Sequence, residues 1–347
     1  MGWCEMRRAL PVLLVLAGCA PTVPLEGKAC DAQGACPTPL VCVKGRCVAN
    51  PCGSGEVKPS ATLVPACRSW LGFYPGVSPD WGTALAREQT AAGVRFDVVH
   101  AYHDWVQDWP TADEKAAAQA GSLLLLDWSP KNFSSGALVA WKDIASGAQD
   151  AAIDARARAL AALPGKAWVT FSPQPEGTVG TQGTAAEFAA AFRHVRQRAV
   201  AQGATNVVWA LVLVGGSADP ALYPGDDVVD WVGWPAYNSF SCGGGAVAWK
   251  SFSELIRPSY DAFLAQGRAN KPFFLTELAS AEDPANAQRK AQWFADIAQA
   301  LPGGFPNLKL VVVHNSTSAC TYRVGSSAAS QQAFNALAAS EVFQVPR

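Results

Sequence analysis

Two carboxylates stand where strand-like apolar runs give way to loops. Glu277 closes the run Phe273-Phe274-Leu275-Thr276-Glu277, and Glu176 follows Phe171 in the stretch Ser172-Pro173-Gln174-Pro175-Glu176-Gly177. A carboxylate at the end of a buried apolar strand is disfavoured unless it is paired or faces a cleft, so Glu277 reads as a functional group. Glu176 sits in a Pro- and Gly-rich loop and admits two readings, a solvated loop acid or a working partner of Glu277. A facing pair of carboxylates can divide labour, one giving and taking a proton while the other attacks as a nucleophile. His100 and His103 are three apart just past a strand but lack a third metal ligand. No nucleophilic-serine or zinc-protease motif is present, so neither metal nor cofactor is expected.

The elements that must position these residues begin at Trp70, where apolar runs start to alternate with Ala-rich ones. Strand candidates are Trp70 to Tyr74, Phe96 to Ala101, Leu123 to Trp128, Ala167 to Phe171, Asn206 to Val214, Val228 to Trp234, Pro272 to Glu277 and Leu308 to His314. Ala151 to Leu163, Ala185 to Gln202 and Ala285 to Ala300 are long enough for helices. Thr111-x-x-Glu114 and Thr184-x-x-Glu187 have the form of capping boxes at helix starts. Gly93, Gly121, Gly165, Gly203 and Gly267 stand where helices should stop. Continuous apolar strands joined through helices predict an α/β fold, a closed (β/α)8 TIM barrel, with active groups at the C-terminal strand ends. A doubly wound open sheet would need a nucleotide-type glycine turn after its first strand, and Gly72-Phe73-Tyr74-Pro75-Gly76 is not one. The Gly243-Gly244-Gly245 run reads as a flexible loop.

Ahead of the barrel, Arg7 and Arg8 precede an apolar stretch from Ala9 to Ala17 that is too short to span a bilayer and reads as an export signal. It runs into Leu16-Ala17-Gly18-Cys19, which resembles a bacterial lipobox. The resemblance implies that residues 1–18 are removed, that Cys19 carries lipid, and, with Ala20 next, that the chain proceeds to an outer membrane or cell surface, its acyl chains the sole membrane anchor. Residues 19–67 contain Cys30, Cys36, Cys42, Cys47, Cys52 and Cys67 in a segment poor in apolar residues. That reads as a disulfide framework; a zinc knuckle is the rival, and about 15 pairings are possible. Ala20 to Pro65 is expected to fold separately from the barrel of residues 68–347. Of the 347 residues 50% are hydrophobic and 16% charged, with a net charge of −1, which supports a sizeable core and excludes a nucleic-acid-binding surface. A monomer is expected.

The barrel segment resembles glycoside hydrolase family 26, whose best-known members are endo-β-mannanases. The resemblance rests on Tyr223-Pro224-Gly225-Asp226-Asp227-Val228-Val229-Asp230-Trp231-Val232-Gly233 followed by Tyr237-Asn238, on Ala191-Phe192-Arg193-His194 with Gly203 to Trp209, and on Lys271-Pro272-Phe273 leading to Thr276-Glu277. It implies a retaining glycosidase of β-mannan or a related β-linked polysaccharide, with Glu277 as nucleophile and Tyr237 orienting it. The fourth strand departs from the family: Pro173-Gln174-Pro175-Glu176 stands against His-Glu-Pro-Glu, putting Gln174, which cannot supply a proton, on the usual acid/base position. Glu176 then serves as acid/base and Gln174 as a substrate contact, or the barrel is a catalytically impaired surface lipoprotein that binds carbohydrate. Trp128, Trp234, Tyr74, Tyr102 and Trp105, at or just beyond strand ends, offer ring faces to sugars or pack in the core. Asp127 and Asp104 can hydrogen-bond sugar hydroxyls or nearby backbone. Cys242 and Cys320 both follow strands on the catalytic face, and in an exported chain they are expected to pair.

Overall fold

The computed structural model describes residues 26–31, 34–53, 58–76, 80–217, 219–239, 242, 248–317 and 320–346. The export signal, Cys19 and the Gly243-Gly244-Gly245 run lie outside them. A short hairpin, β1 (Val41–Val43) and β2 (Arg46–Val48), belongs to the cysteine-rich segment. Eight parallel strands then close a barrel in sequence order: β3 (Trp70–Tyr74), β4 (Val98–His103), β5 (Leu123–Trp128), β6 (Ala167–Phe171), β7 (Val207–Val212), β8 (Trp231–Asn238), β9 (Phe273–Ser280) and β10 (Leu308–His314), which pairs back to β3.

The crossovers carry α1 (Trp81–Ala92), α2 (Ala112–Gln119), α3 (Trp141–Ala145) with α4 (Asp150–Ala161), α5 (Ala185–Ala201), α6 (Phe252–Ala265), α7 (Arg289–Gly304) and, after β10, α8 (Ala328–Ala339). Between β7 and β8 the described residues form only a short 3-10 turn, Pro220–Leu222, so one crossover of the (β/α)8 pattern lacks its helix. Both expected capping boxes form: Thr111 and Thr184 accept from the backbone of Glu114 and Glu187, whose carboxylates reach back to the cap, each contributing about 1 kcal/mol. Gly93 ends α1 in the left-handed conformation at φ 67°. Two expected starts move furthest. β8 begins at Trp231 because Val228 and Val229 are bonded back to the Gly225 carbonyl in a turn. Likewise α7 begins at Arg289 because the Asp283 carboxylate and carbonyl hold Ala285 and Asn286 in a turn of their own.

Two apolar layers result. Trp70, Val98, Leu125, Trp168, Val208, Trp231, Phe274 and Leu310 fill the lumen, while the alternate strand residues pack against the helices. Gly233 is required here, since a Cβ on it would lie 2.4 Å from the Phe274 ring.

The N-terminal segment does not stand apart from this core. Its disulfides join Cys30 to Cys42, Cys36 to Cys47 and Cys52 to Cys67, pairing that answers the disulfide-or-zinc question. A turn held by Ser60 N–H to the Val64 carbonyl (2.8 Å) pushes Leu63 into the N-terminal mouth of the barrel, where it is 6% exposed among the lumen residues. The lumen indoles of Trp70 and Trp231 donate to the carbonyls of Leu63 (2.9 Å) and Thr62 (2.6 Å). From the hairpin turn Lys44 reaches the buried Asp97 carboxylate at 3.6 Å. The segment expected to fold separately thus docks on the barrel floor, where one leucine and a few carbonyls reach the lumen although the segment is poor in apolar residues overall. Truncation to a chain starting at Ser69 should lose the burial of Leu63 and two indole hydrogen bonds, about 3–5 kcal/mol together. That is on the order of 10 °C in the thermal midpoint followed by circular dichroism; an unchanged midpoint would show that the segment is only tethered.

Candidate active site

The C-terminal mouth of the barrel is polar because the lumen-facing series on several strands changes character at its last members. Along β4 the lumen receives Val98, His100 and Tyr102; along β10, Leu310, Val312 and His314; along β8, Trp231, Gly233 and Tyr237. Glu277 joins them through an irregularity in β9. Trp234 pairs with Leu275 but Pro235 pairs with Glu277, and the β10 register shifts likewise between Val311, opposite Leu275, and Val313, opposite Leu278. Thr276 is thus an extra residue, a bulge. Strict alternation from Phe274 would have sent Glu277 outward with Leu275; the bulge turns it into the mouth.

There each oxygen of Glu277 accepts a phenolic hydrogen bond, Oε1 from Tyr102 and Oε2 from Tyr237. Two donors on different strands hold the carboxylate in one orientation. Burial first, and the Glu277 charge second, push the Tyr102 and Tyr237 hydroxyls far above the ordinary phenol range, so both remain proton donors. Tyr74 stands edge-on to Tyr102 with centroids 4.9 Å apart and stacks on His314 at 4.6 Å; burial and Glu277 raise its hydroxyl to about 12. Burial, helped by nearby His100, lowers His314 to about 3, which makes it a neutral imidazole at any working pH. Replacing Tyr237 with Phe removes a hydrogen bond to a charged group, about 1.5–3 kcal/mol. The expected result is a 10- to 100-fold lower kcat with little change in KM, measured by steady-state kinetics; a raised KM with kcat unchanged would mean that Tyr237 binds substrate instead.

Opposite, the chain leaving β6 doubles back through two non-glycine residues in the left-handed region, Ser172 (φ 48°) and Gln174 (φ 55°), a conformation costing on the order of 1–3 kcal/mol each. The turn is held by Ser172 N–H to the Trp128 carbonyl and Gln174 N–H to the Val212 carbonyl, each 2.9 Å. It delivers Glu176, within the 3-10 turn Pro175–Thr178, against the end of β7, where its Oε1 accepts from Val214 N–H at 3.0 Å. Oε2 is buried with no partner among the described residues. Burial dominates and raises the Glu176 carboxyl above its ordinary value. Glu176 is thus a partly desolvated carboxyl at the C-terminal end of the barrel. Cys242 and Cys320 are joined, with Cα atoms 5.5 Å apart, and tie the loop after β8 to the loop after β10 beside Tyr237 and Tyr322.

Several expected sugar contacts lie elsewhere. Trp128 is 1% exposed, stacked on Trp105 at 4.5 Å and edge-on to Trp109, and Trp234 is 2% exposed against Phe263 and Phe273. Both belong to the layer between barrel and helices, as does Trp105, because they share the outward phase of Leu124, Leu126 and Val232. Asp127 is in the lumen but sealed, accepting from Thr170 at 2.5 Å with His100 at 3.3 Å, beneath Tyr102. His100 and His103, three apart on one strand, face opposite sides: His103 meets Glu114 at 3.1 Å and stacks on Trp109. They form no metal pair. Asp104 bonds only nearby backbone. Tyr74 and Tyr102 do line the mouth, and His314 is a site residue that the sequence marked only as a strand end.

No family model matches the chain. It is 27% identical over 274 residues to Endoglucanase H of Acetivibrio thermocellus, covering 75% of this chain and 29% of that protein, so the chain spans less than a third of this relative's length. Among solved structures, a ruminal GH26 endo-β-1,4-mannanase superposes with TM-score 0.58 at 12% identity, over 87% of this chain and 73% of that one. A GH26 β-mannanase from Bacteroides ovatus gives 0.56 at 14%, over 83% and 95%. A modular endo-β-1,4-mannanase from Cellulomonas fimi gives 0.56 at 16%, over 79% and 71%. At these identities the superpositions establish the barrel fold.

Proposed function

We propose that the chain is a glycoside hydrolase that cleaves within a β-linked polysaccharide, β-mannan or a related β-glycan, with retention of configuration. The observation that carries this is the carboxylate of Glu277, turned into the barrel mouth by a bulge and held at both oxygens by Tyr102 and Tyr237. The resemblance to an endoglucanase and the shared fold with endo-β-mannanases support the same reading. In the first step Glu277 attacks the anomeric carbon. The glycosidic C–O bond breaks with its electron pair going to the leaving oxygen, which takes the proton of Glu176. In the second, the Glu176 carboxylate takes a proton from water as that water attacks the anomeric carbon, and the C–O bond to Glu277 breaks. Tyr237 and Tyr102 keep the attacking oxygens aimed throughout. No cofactor is needed.

Gln174 favours a second reading, a barrel without an effective proton donor that binds carbohydrate at a surface. Incubating the full chain with a panel of β-glycans and measuring reducing-sugar release separates the two, since a binder without hydrolysis of any glycan sinks the enzyme reading. Trapping the glycosyl–Glu277 adduct with a 2-fluoro-glycoside and locating it by peptide mass spectrometry tests the covalent step. Export, lipidation at Cys19 and attachment to an outer membrane or cell surface remain part of the proposal; labelling with a radioactive fatty acid, abolished by Cys19→Ala, is the check.

A further inference from the structure

We propose that Phe133 is the aromatic platform of a distal subsite for a neutral β-linked oligosaccharide, reached from Glu277 through the cleft between the loops after β3, β4 and β5. The inference rests on the glycosidase reading and extends it to a part of the surface that the chemistry does not use. The cleft has a volume of about 480 Å³ and runs past Tyr74 and Tyr102, the residues beside Glu277, to Gln107, Asp108 and Phe133. That size falls in the range of ligand sites, roughly 300–1,000 Å³.

Phe133 is unusual among the large side chains of this chain. Of the described phenylalanines and tryptophans, nearly all are packed, yet Phe133 leaves 46% of its surface exposed. Its backbone is not free to fold the ring away. Asp104, itself only 3% exposed, accepts Phe133 N–H at 3.0 Å on one oxygen and Val106 and Gln107 N–H, at 3.0 and 2.7 Å, on the other. One buried carboxylate thus pins the loop after β4 to the loop after β5, and Trp105 N–H to the Lys131 carbonyl (2.9 Å) repeats the tie. The backbone that carries the ring is thus fixed in place, so a ligand stacking its apolar C–H face there would have to order only the side-chain torsions.

The polar lining sets the class of ligand. Asp108, with a fully exposed side chain that also holds Arg156 at 2.9 Å, and Gln107 offer hydrogen-bond partners to hydroxyls. Asp113 adds a second carboxylate, which also accepts from Gly82 N–H, while Glu114 is buried against His103 and the start of α2. An acidic lining suits a neutral sugar chain and opposes one bearing uronate or sulfate.

The test separates this site from the catalytic reading. In full-length protein carrying Glu277→Gln, isothermal titration with β-1,4-linked manno-oligosaccharides from mannobiose to mannohexaose, and with the matching cello-oligosaccharides, should show affinity rising with chain length. Adding Phe133→Ala should weaken the longest ligand about 10-fold, leave the shortest unchanged and leave the thermal midpoint where it was, since the ring is exposed. If the Phe133→Ala protein binds every length as its parent does, or if no oligosaccharide of either series binds, the subsite is refuted. If length-dependent, Phe133-dependent binding is present but wild-type protein releases no reducing sugar from any β-glycan, the subsite stands and the catalytic assignment fails.

Discussion

Replacing Glu277 with glutamine is expected to reduce hydrolysis of polysaccharide and of activated aryl glycosides alike, by about 10⁴-fold or more, while oligosaccharide binding persists. The two oxygens of Glu277 are the acceptors of Tyr102 and Tyr237. The amide can satisfy only one of these donors and must present its own N–H groups to the other, so both the attacking atom and its orientation are lost. A nucleophile acts in the step that every substrate shares, whatever its leaving group, which is why an activated aglycone should not rescue the variant. Small external nucleophiles offer a sharper reading. With azide present, an activated β-glycoside should yield the α-glycosyl azide from the Glu277→Ala protein, because the anion enters the space of the missing carboxylate. Full activity of Glu277→Gln, or a β-azide product, would sink the assignment.

The barrel was legible because each parallel strand buried on both faces is a continuous apolar run, although β8 and β9 run on to Asn238 and Ser280, past the expected ends at Trp234 and Glu277. The same continuity hid which face each residue takes. In Leu123-Leu124-Leu125-Leu126-Asp127-Trp128 nothing alternates in polarity, so Trp128 looked available at a strand end although it shares the outward phase of Leu124 and Leu126. Thr276 carries no sign of being a bulge, yet the direction of Glu277 depends on it. The plug was illegible for the opposite reason: a lone Leu63 among polar and glycine residues has no period, and only the docked turn shows its role.

The residues that made the family resemblance readable also turn out to hold the frame more than the chemistry. Arg193 grips Asp227 through two 2.7 Å bonds, Asp226 accepts from Tyr223 at 2.5 Å and pairs with Lys271 at 3.4 Å, and Arg268 lies 3.5 Å over the Tyr223 ring. All of these brace the turn entering β8, at the end of the barrel away from Glu277. The braces fix where β8 begins and therefore how Tyr237, at its far end, meets the carboxylate. Tyr102, by contrast, reads in the sequence as a sugar contact or a core residue, since its bond to Glu277 joins residues 175 apart.

Glu176→Gln is expected to cost about 10²–10⁴-fold in kcat/KM on polysaccharide, the usual contribution of a positioned general acid. Glycosides with good leaving groups should lose much less in their first step, because they need little protonation to depart. Its pH signature follows from the burial that raises the Glu176 carboxyl. The acid must be protonated when the glycosidic bond breaks, so the basic limb of the wild-type kcat/KM profile should lie above the ordinary carboxylate range, and that limb should vanish in the variant. The same shift makes a stability prediction with a definite sign. A carboxyl whose folded pKa exceeds its unfolded one binds more protons in the native state across the interval between the two values, so its contribution to stability falls as pH rises through that interval. Glutamine keeps an oxygen for Val214 N–H and carries no charge to desolvate. The variant's thermal midpoint, compared with wild type, should therefore climb as pH is raised from acid through that window to neutral. A variant as active as wild type on polysaccharide would move the proton donor to another residue, and a midpoint difference independent of pH would show that Glu176 is solvated like any loop acid.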